Sequence, residues 1–162
     1  MKQRADVVII GAGIVGSSAA HWLTLAGVKN VVVVDQGPLE NTGGSSFHAP
    51  GLVFQTNGSR LMCKLAQWST GLYRTLDGPE GPSWLEVGSV EVATTPARVA
   101  ELERRRNYAL SYGLAGSIIS PAEAAERIPV LDRDVVLSAY HVPSDGLSRA
   151  GDTCRQLRRA AE

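Results

Sequence analysis

The fold is decided by one stretch near the start of the chain, Val7-Val8-Ile9-Ile10-Gly11-Ala12-Gly13-Ile14-Val15-Gly16. Its first four residues are apolar and β-branched, which is typical of a strand buried on both faces of a parallel sheet. Its glycines follow the pattern G-x-G-x-x-G, placed between this strand and a helix that we predict from Ile14 to Ala26. In such a turn the first glycine permits the tight bend, the second lets a pyrophosphate approach the backbone, and the third lets helix and strand pack closely. The stretch therefore predicts the start of a dinucleotide-binding unit.

A second apolar run strengthens this prediction. Residues Val31 to Val34 are all valine and end at Asp35, which lies 24 residues after Gly11. An acidic residue about 20 residues beyond the first glycine accepts hydrogen bonds from the ribose of an adenine dinucleotide, and it would repel a 2′-phosphate. The order strand, glycine turn, helix, strand predicts a doubly wound, Rossmann-like α/β fold. The glycine pattern alone leaves FAD and NAD as alternatives.

Composition excludes several other classes of protein. The chain has 162 residues, of which 44% are hydrophobic, and its 16 basic residues balance its 16 acidic residues. A net charge of zero gives no field to hold nucleic acid or an anionic membrane, so we expect neither partner. The two cysteines form no C-x-x-C motif, the three histidines share no ligand spacing, and we expect no metal site. The first apolar run is too short for a signal peptide or a membrane span, so we expect a cytoplasmic protein.

The rest of the chain alternates between loops, helices and short strands. Residues 36–57 are rich in glycine, proline and small polar residues but have an apolar interior, so we expect an ordered loop. Beyond it we predict a helix from Ser59 to about Asp77, a hairpin over Trp84–Thr94 and a helix from Pro96 to about Tyr112. A capping box then predicts a short helix, Pro121–Arg127. We predict that a strand, Val135–Val142, and a helix from Ser148 to Glu162 follow.

These elements suggest three segments. We expect residues 1–82 to form the βαβ unit, the following loop and a helix, residues 83–134 to begin a second domain, and residues 135–162 to return to the first. Only three strands qualify for the parallel sheet, whereas a dinucleotide domain needs about five or six. We therefore expect an N-terminal fragment that needs the remainder of its chain and that is neither a stable monomer nor active alone.

A specific resemblance appears in the loop Gly43-Gly44-Ser45-Ser46-Phe47-His48-Ala49-Pro50-Gly51-Leu52-Val53. Together with Asp35-Gln36-Gly37-Pro38-Leu39, it closely resembles the bacterial dimethylglycine oxidases and, more broadly, the dimethylglycine and sarcosine dehydrogenases among the D-amino-acid-oxidase-like flavoproteins. The likeness extends to His141-Val142-Pro143-Ser144-Asp145-Gly146-Leu147 and so covers nearly the whole chain. It implies an FAD-binding domain of the glutathione-reductase type, with the beginning of an α+β substrate domain.

The resemblance also implies roles for individual residues. His48 matches the histidine that in this family is bonded covalently to the 8α-methyl carbon of FAD. The same likeness assigns Ile14 and Val15 to the pyrophosphate turn, with Gly11, Gly13 and Gly16, and places Asp35 and Gln36 at the adenosine end. The residues assigned to the flavin side are Gly44, Ser45, Ser46, Phe47, His48 and Leu52. No catalytic residue for amine oxidation can be named in these 162 residues.

The activity that the resemblance implies is oxidation of the N-methyl C–N bond of N,N-dimethylglycine to give sarcosine, with hydride transfer to covalent flavin. The one-carbon unit passes to tetrahydrofolate, bound in a C-terminal part of the family that this sequence lacks, or leaves as formaldehyde. Two alternatives remain open, namely oxidation of sarcosine and an inactive, truncated dinucleotide-binding remnant. The expected partner is thus a small N-methylated glycine.

Overall fold

The computed structural model describes residues 4–38, 40–41, 43–79 and 81–162. In chain order its elements are β1 (Val7–Ile10), α1 (Ile14–Leu25), β2 (Val31–Val34), α2 (Ser45–His48), β3 (Leu52–Val53), α3 (Arg60–Tyr73), β4 (Trp84–Leu85), β5 (Ser89–Ala93), α4 (Pro96–Ser111), β6 (Ser117–Ile119), α5 (Pro121–Arg127), β7 (Ser138–Val142), β8 (Gly146–Ser148) and α6 (Ala150–Arg159). Among these residues, no helix is both long enough and apolar enough to cross a membrane.

The chain divides into two compact units. The first comprises Met1–Leu52, Leu72–Trp84 and Ser148–Glu162, and the second comprises Val53–Gly71 and Leu85–Leu147. This division differs from the expected segments in three places, because residues 53–71 and 135–147 lie in the second unit and residues 83–84 lie in the first. The chain returns to the first unit at Ser148, about one strand later than expected.

The first unit contains the predicted βαβ arrangement. Strands β1 and β2 are parallel and in register from Val7 opposite Val31 to Ile10 opposite Val34. Helix α1 connects them, and α6 packs against α1. The helix ends where Gly27 adopts a φ of +87°, a left-handed conformation that costs glycine little and ends helices efficiently. The bounds predicted for this part of the chain are therefore correct to within one residue.

The expectation that β1 is buried on both faces is wrong for this chain. Ile9 faces α1, whereas Val8 and Ile10 on the opposite face are 58% and 88% exposed. Successive side chains of a strand point to opposite faces, so a single covering layer buries every second residue. Within the described residues, the layer that contains α1 covers one face of β1, the face that carries Ile9.

The loop after β2 contains α2 and β3 as local structure. Leu39 and Thr42 of this loop lie outside the described residues. The helix predicted from Ser59 to Asp77 is α3, which ends at Tyr73. The last predicted helix is α6, which begins two residues after Ser148 and ends at Arg159.

The second unit is built on a three-stranded antiparallel sheet in the order β5-β7-β6. Helix α4 contacts all three strands, and α5 contacts β7. The main cluster of buried side chains comprises Cys63, Ala93, Leu102, Ala109, Leu114, Tyr140 and Val142. The predicted capping box is confirmed at the start of α5, where Ser120 Oγ accepts the Glu123 N–H and the Glu123 carboxylate accepts the Ser120 N–H.

The predicted hairpin over Trp84–Thr94 is wrong, because β5 pairs with β7 rather than with β4. The Gly88 N–H donates to the Asp145 carbonyl at 2.8 Å, and the Ser89 hydroxyl donates to the Asp145 carboxylate at 2.6 Å. These bonds join the start of β5 to the turn after β7. The strand predicted from Val135 begins only at Ser138, and β6 had no clear sequence signal.

The third glycine of the turn allows a test of this packing. A Cβ added at Gly16 would lie 1.8 Å from the Gly11 carbonyl oxygen, so Gly16→Ala forces the turn and helix apart. We expect it to lower the free energy of unfolding by about 1–3 kcal/mol or more, as overpacking does. Gly71→Ala in α3 is the matched control, because its Cβ would meet nothing within 4 Å. The control should stabilise by up to about 1 kcal/mol. Urea unfolding measures both variants, and equal stability of Gly16→Ala and wild type would contradict this account.

Candidate dinucleotide site

The glycine turn forms the floor of the candidate site. Gly11 adopts a φ of +103°, and its N–H donates to the Val34 carbonyl at 2.7 Å, which ties the turn to the end of β2. Gly13 is the N-cap of α1 and provides no capping side chain, and the first turn of the helix carries no acidic residue. Backbone N–H groups and the positive end of a helix dipole favour an anion at such a terminus. These residues therefore fit a diphosphate.

A pocket of about 430 Å³ opens beside the turn. Its walls are Ile10, Gly11, Gly13, Val34, Asp35, Gln36 and Gly44. Five of these are predicted site residues, and the structure brings them together from β1, the turn, the end of β2 and the N-cap of α2. The exposed side chains of Ile10 and Val34 give the pocket an apolar wall next to polar groups. That combination is typical of a site for a flat heterocycle with polar substituents.

Asp35 is held by two backbone groups. The Ala12 N–H donates to its Oδ2 at 2.7 Å, and the Gly37 N–H donates to its Oδ1 at 2.9 Å. These two hydrogen bonds, with the Ala12 bond the stronger influence, hold the pKa of Asp35 below its usual value of 3.8. Each carboxylate oxygen has two lone pairs, so both oxygens can still accept a ribose hydroxyl. The carboxylate is thus positioned and ionised.

The next predicted residues lie on α2. Ser46 Oγ accepts the Ile14 N–H at 2.9 Å, which joins this short helix to the first residue of α1. Phe47 is half-buried and packs on α6, where a Cβ added at Gly151 would lie 2.9 Å from the Phe47 ring. These contacts hold the loop against α1 and α6.

The other predicted residues are placed differently. Gly16 packs against the Gly11 carbonyl beneath the turn, whereas the Val15 side chain is 82% exposed. Ser45 and His48 are exposed at the two ends of α2, and Leu52 is exposed on β3. None of these five lines the pocket beside the turn. His48 is accessible to a large ligand, as attachment to a cofactor requires.

Sequence reasoning missed a buried polar cluster beneath the turn. Ser17 and Cys154 are fully buried, and Arg158 donates to Ser17 Oγ at 3.2 Å. Burial raises the pKa of the Cys154 thiol, while hydrogen bonds to Ser46 and Ser17 act in the opposite direction. Cys154 and Arg158 come from α6, about 140 residues after the glycine turn, so no local pattern connects them with it. Among the described residues, no group of His, Cys, Asp and Glu side chains is arranged to hold a metal ion.

Comparison with solved structures supports the fold. The chain superimposes on L-proline dehydrogenase from P. horikoshii with a TM-score of 0.87 and 23% sequence identity, covering 99% of this chain and 42% of that one. At this level of identity the likeness concerns the fold alone. It confirms the predicted α/β fold.

Three curated relatives show closer sequence similarity. The chain is 32% identical to the mitochondrial pyruvate dehydrogenase phosphatase regulatory subunit of Mus musculus, over 99% of this chain and 18% of that protein. It is 35% identical to the mitochondrial dimethylglycine dehydrogenase of Rattus norvegicus, over 90% of this chain and 17% of that protein. It is 30% identical to the mitochondrial sarcosine dehydrogenase of Mus musculus, over 99% and 18% respectively. The chain thus spans less than a fifth of the length of these relatives.

These similarities confirm the resemblance to the dimethylglycine and sarcosine dehydrogenases that the loop around His48 indicated. A family model described as FAD dependent oxidoreductase, the DAO family, matches residues 6–162. That match covers both units and every residue of the site described above. The chain belongs to the DAO family of FAD-dependent oxidoreductases.

Proposed function

We propose that this chain binds the adenosine diphosphate part of FAD in the pocket beside the glycine turn. The observation that carries the proposal is the convergence of three features there: the N-terminus of α1, whose N-cap Gly13 provides no capping side chain, an ionised Asp35 at the end of β2, and an apolar wall. The diphosphate lies against the N-terminus of α1, and the ribose hydroxyls donate to Asp35. Gln36 lies at the adenosine end, as the resemblance implies.

We further propose that His48 is the point of covalent attachment. Its imidazole is exposed at the end of α2, four residues after Gly44, which lines the pocket. Neutral imidazole is a good nucleophile near neutral pH. The ring nitrogen of His48 would replace one hydrogen of the flavin's 8α-methyl group, the two electrons of that C–H bond passing to the flavin ring and then to the acceptor that reoxidises it, and the bond would keep the cofactor in place throughout turnover. Ser45, Ser46 and Phe47 shape the loop on the flavin side.

The proposed substrate is N,N-dimethylglycine, because dimethylglycine dehydrogenase is a relative at 35% identity and the loop around His48 resembles that family. When bound, FAD accepts the hydride that leaves the N-methyl carbon. The nitrogen lone pair of the substrate then forms the C=N bond of an iminium ion. Water adds to that ion, releasing formaldehyde and sarcosine, or the one-carbon unit passes to tetrahydrofolate bound elsewhere in the full protein.

Two alternatives rest on the other relatives. Sarcosine dehydrogenase, at 30% identity, favours sarcosine as substrate. The pyruvate dehydrogenase phosphatase regulatory subunit, at 32% identity, is named for a regulatory role and favours a dinucleotide-binding remnant without oxidase activity. The experiments below distinguish these alternatives.

The attachment is tested with His48→Ala in the full-length protein. We expect wild-type flavin to stay with the protein after acid precipitation and the flavin of the variant to be released, because the variant has no ring nitrogen to bond it. Absorbance of the washed precipitate measures retention. His141→Ala, which alters a histidine on β7 of the second unit, is the control and should retain flavin. Acid-stable flavin in His48→Ala would place the attachment elsewhere.

Asp35 is tested by titrating flavin-free protein from riboflavin-limited cells with adenosine. We expect Asp35→Asn to weaken adenosine binding about tenfold, as loss of a charge-assisted hydrogen bond does, and to change the binding of 2′,3′-dideoxyadenosine little. Because the pKa of Asp35 is lowered, the carboxylate stays ionised and wild-type affinity should be constant from pH ~8 down to pH ~5. Asp134→Asn, at a 90% exposed side chain in the second unit, is the control. Equal losses for both nucleosides would rule out the ribose contact.

The substrate is tested by amine-dependent dye reduction in the full-length protein. We expect kcat/KM for dimethylglycine to exceed that for sarcosine. Trimethylglycine should be inert, because its quaternary nitrogen lacks the lone pair that forms the iminium ion. Formaldehyde release should fall when tetrahydrofolate is added. A higher kcat/KM for sarcosine would establish the first alternative, and flavin binding without reduction by either amine would establish the second.

A further inference from the structure

The peptide at the centre of the glycine turn is held from α6 by Arg158. Arg158 Nη1 donates to the Ala12 carbonyl at 2.7 Å and to Ser17 Oγ at 3.2 Å. The Ser17 hydroxyl donates to the same Ala12 carbonyl at 3.0 Å. Ala12 and Ser17 are fully buried, so these bonds are shielded from competition with water.

These bonds fix the orientation of the two peptide groups that flank Ala12. The Ala12 N–H donates to Asp35, and the Ala12 carbonyl accepts from Arg158, so both sides of Ala12 are held by charged side chains. In a trans peptide the C=O and the N–H that follows it point in opposite directions. The N–H of Gly13, which lines the pocket, therefore points away from Arg158. Arg158 orients a donor of the anion-binding turn.

Arg158 also provides a positive charge that the glycine motif itself lacks. From Ala5 to Val28 the sequence contains no lysine or arginine. The charge of Arg158 contributes to the lowered pKa of Asp35. Burial in turn lowers the pKa of Arg158, which means that the guanidinium has lost part of its hydration and gains from a nearby anion.

We infer that Arg158 is a positioning residue of the dinucleotide site, which orients the Ala12–Gly13 peptide and provides counter-charge for the diphosphate. The inference rests on the proposed binding of FAD beside the glycine turn. It assigns to α6 a part in cofactor binding that neither the glycine motif nor the loop around His48 indicates. Arg158 acts on the diphosphate through the turn and through its field.

The test separates charge and orientation from simple packing of α6. Flavin-free full-length protein from riboflavin-limited cells is titrated with ADP and with adenosine in a calorimeter. Arg158→Met keeps a long side chain but removes the charge and the hydrogen bonds. We expect it to weaken ADP binding about tenfold or more and adenosine binding less than about twofold. The salt dependence of ADP affinity should also become shallower.

Two further variants complete the experiment. Arg159→Met removes the same charge from the next, exposed position of α6 and should leave both affinities within about twofold of wild type. Arg158→Lys keeps the charge but not the planar guanidinium, and we expect it to restore part of the ADP affinity. Equal losses of ADP and adenosine affinity in Arg158→Met, or no loss of either, would overturn the inference. Failure of the wild-type protein to bind ADP would instead overturn the proposed function itself.

Discussion

The hydrogen bond from the Ala12 N–H to the Asp35 carboxylate is the constraint on which the site depends. At 2.7 Å it joins the glycine turn after β1 to the end of β2, two points separated by 23 residues of chain. The bond helps to keep Asp35 ionised and holds the Gly11–Ala12 peptide, while Arg158 holds the following Ala12–Gly13 peptide through its carbonyl. The glycine at position 16 then lets α1 lie against the Gly11 carbonyl, where a Cβ would be only 1.8 Å from the carbonyl oxygen. The pocket beside the turn is bordered by these few fixed atoms.

Much of this unit could be predicted because its determinants are local in sequence. The run from Val7 to Ile10, the three glycines and the valines ending at Asp35 each specify one element through backbone geometry. The capping box of Ser120 and Glu123 is local in the same way, and it was predicted correctly. Such local patterns set where an element begins and which backbone conformations it can adopt. They can therefore be recognised in a single sequence, without knowledge of the tertiary structure.

The parts that could not be predicted depend on contacts between distant residues. Strand β5 was placed in a hairpin because Gly88 and Ser89 resemble a turn, yet its partner β7 lies about 45 residues further along. Nothing local encodes that pairing. The role of α6 is similar, because Cys154 and Arg158 follow an ordinary amphipathic pattern and become part of a polar cluster only when α6 packs on α1. Whether β1 is buried on one face or on both likewise depends on which elements pack against it. A run of β-branched residues does not specify those neighbours.

Two aspartates illustrate how geometry separates a binding carboxylate from a structural one. Asp145 in the second unit is 1% exposed, and its oxygens accept the Gln55 N–H, the Gln55 side-chain amide and the Ser89 hydroxyl. Because Asp145 is buried and accepts from these three donors, a ligand cannot reach it. Its role is to join the segment after β3 to the turn after β7. Asp35 accepts one backbone N–H on each oxygen, is partly exposed and lines a pocket. Because a carboxylate with one donor on each oxygen retains further acceptor sites, Asp35 can bind ribose while it holds the turn. The same residue type is therefore structural where it is buried with most of its acceptor sites used, and able to accept a ligand hydroxyl where it lines a pocket with half of them unused.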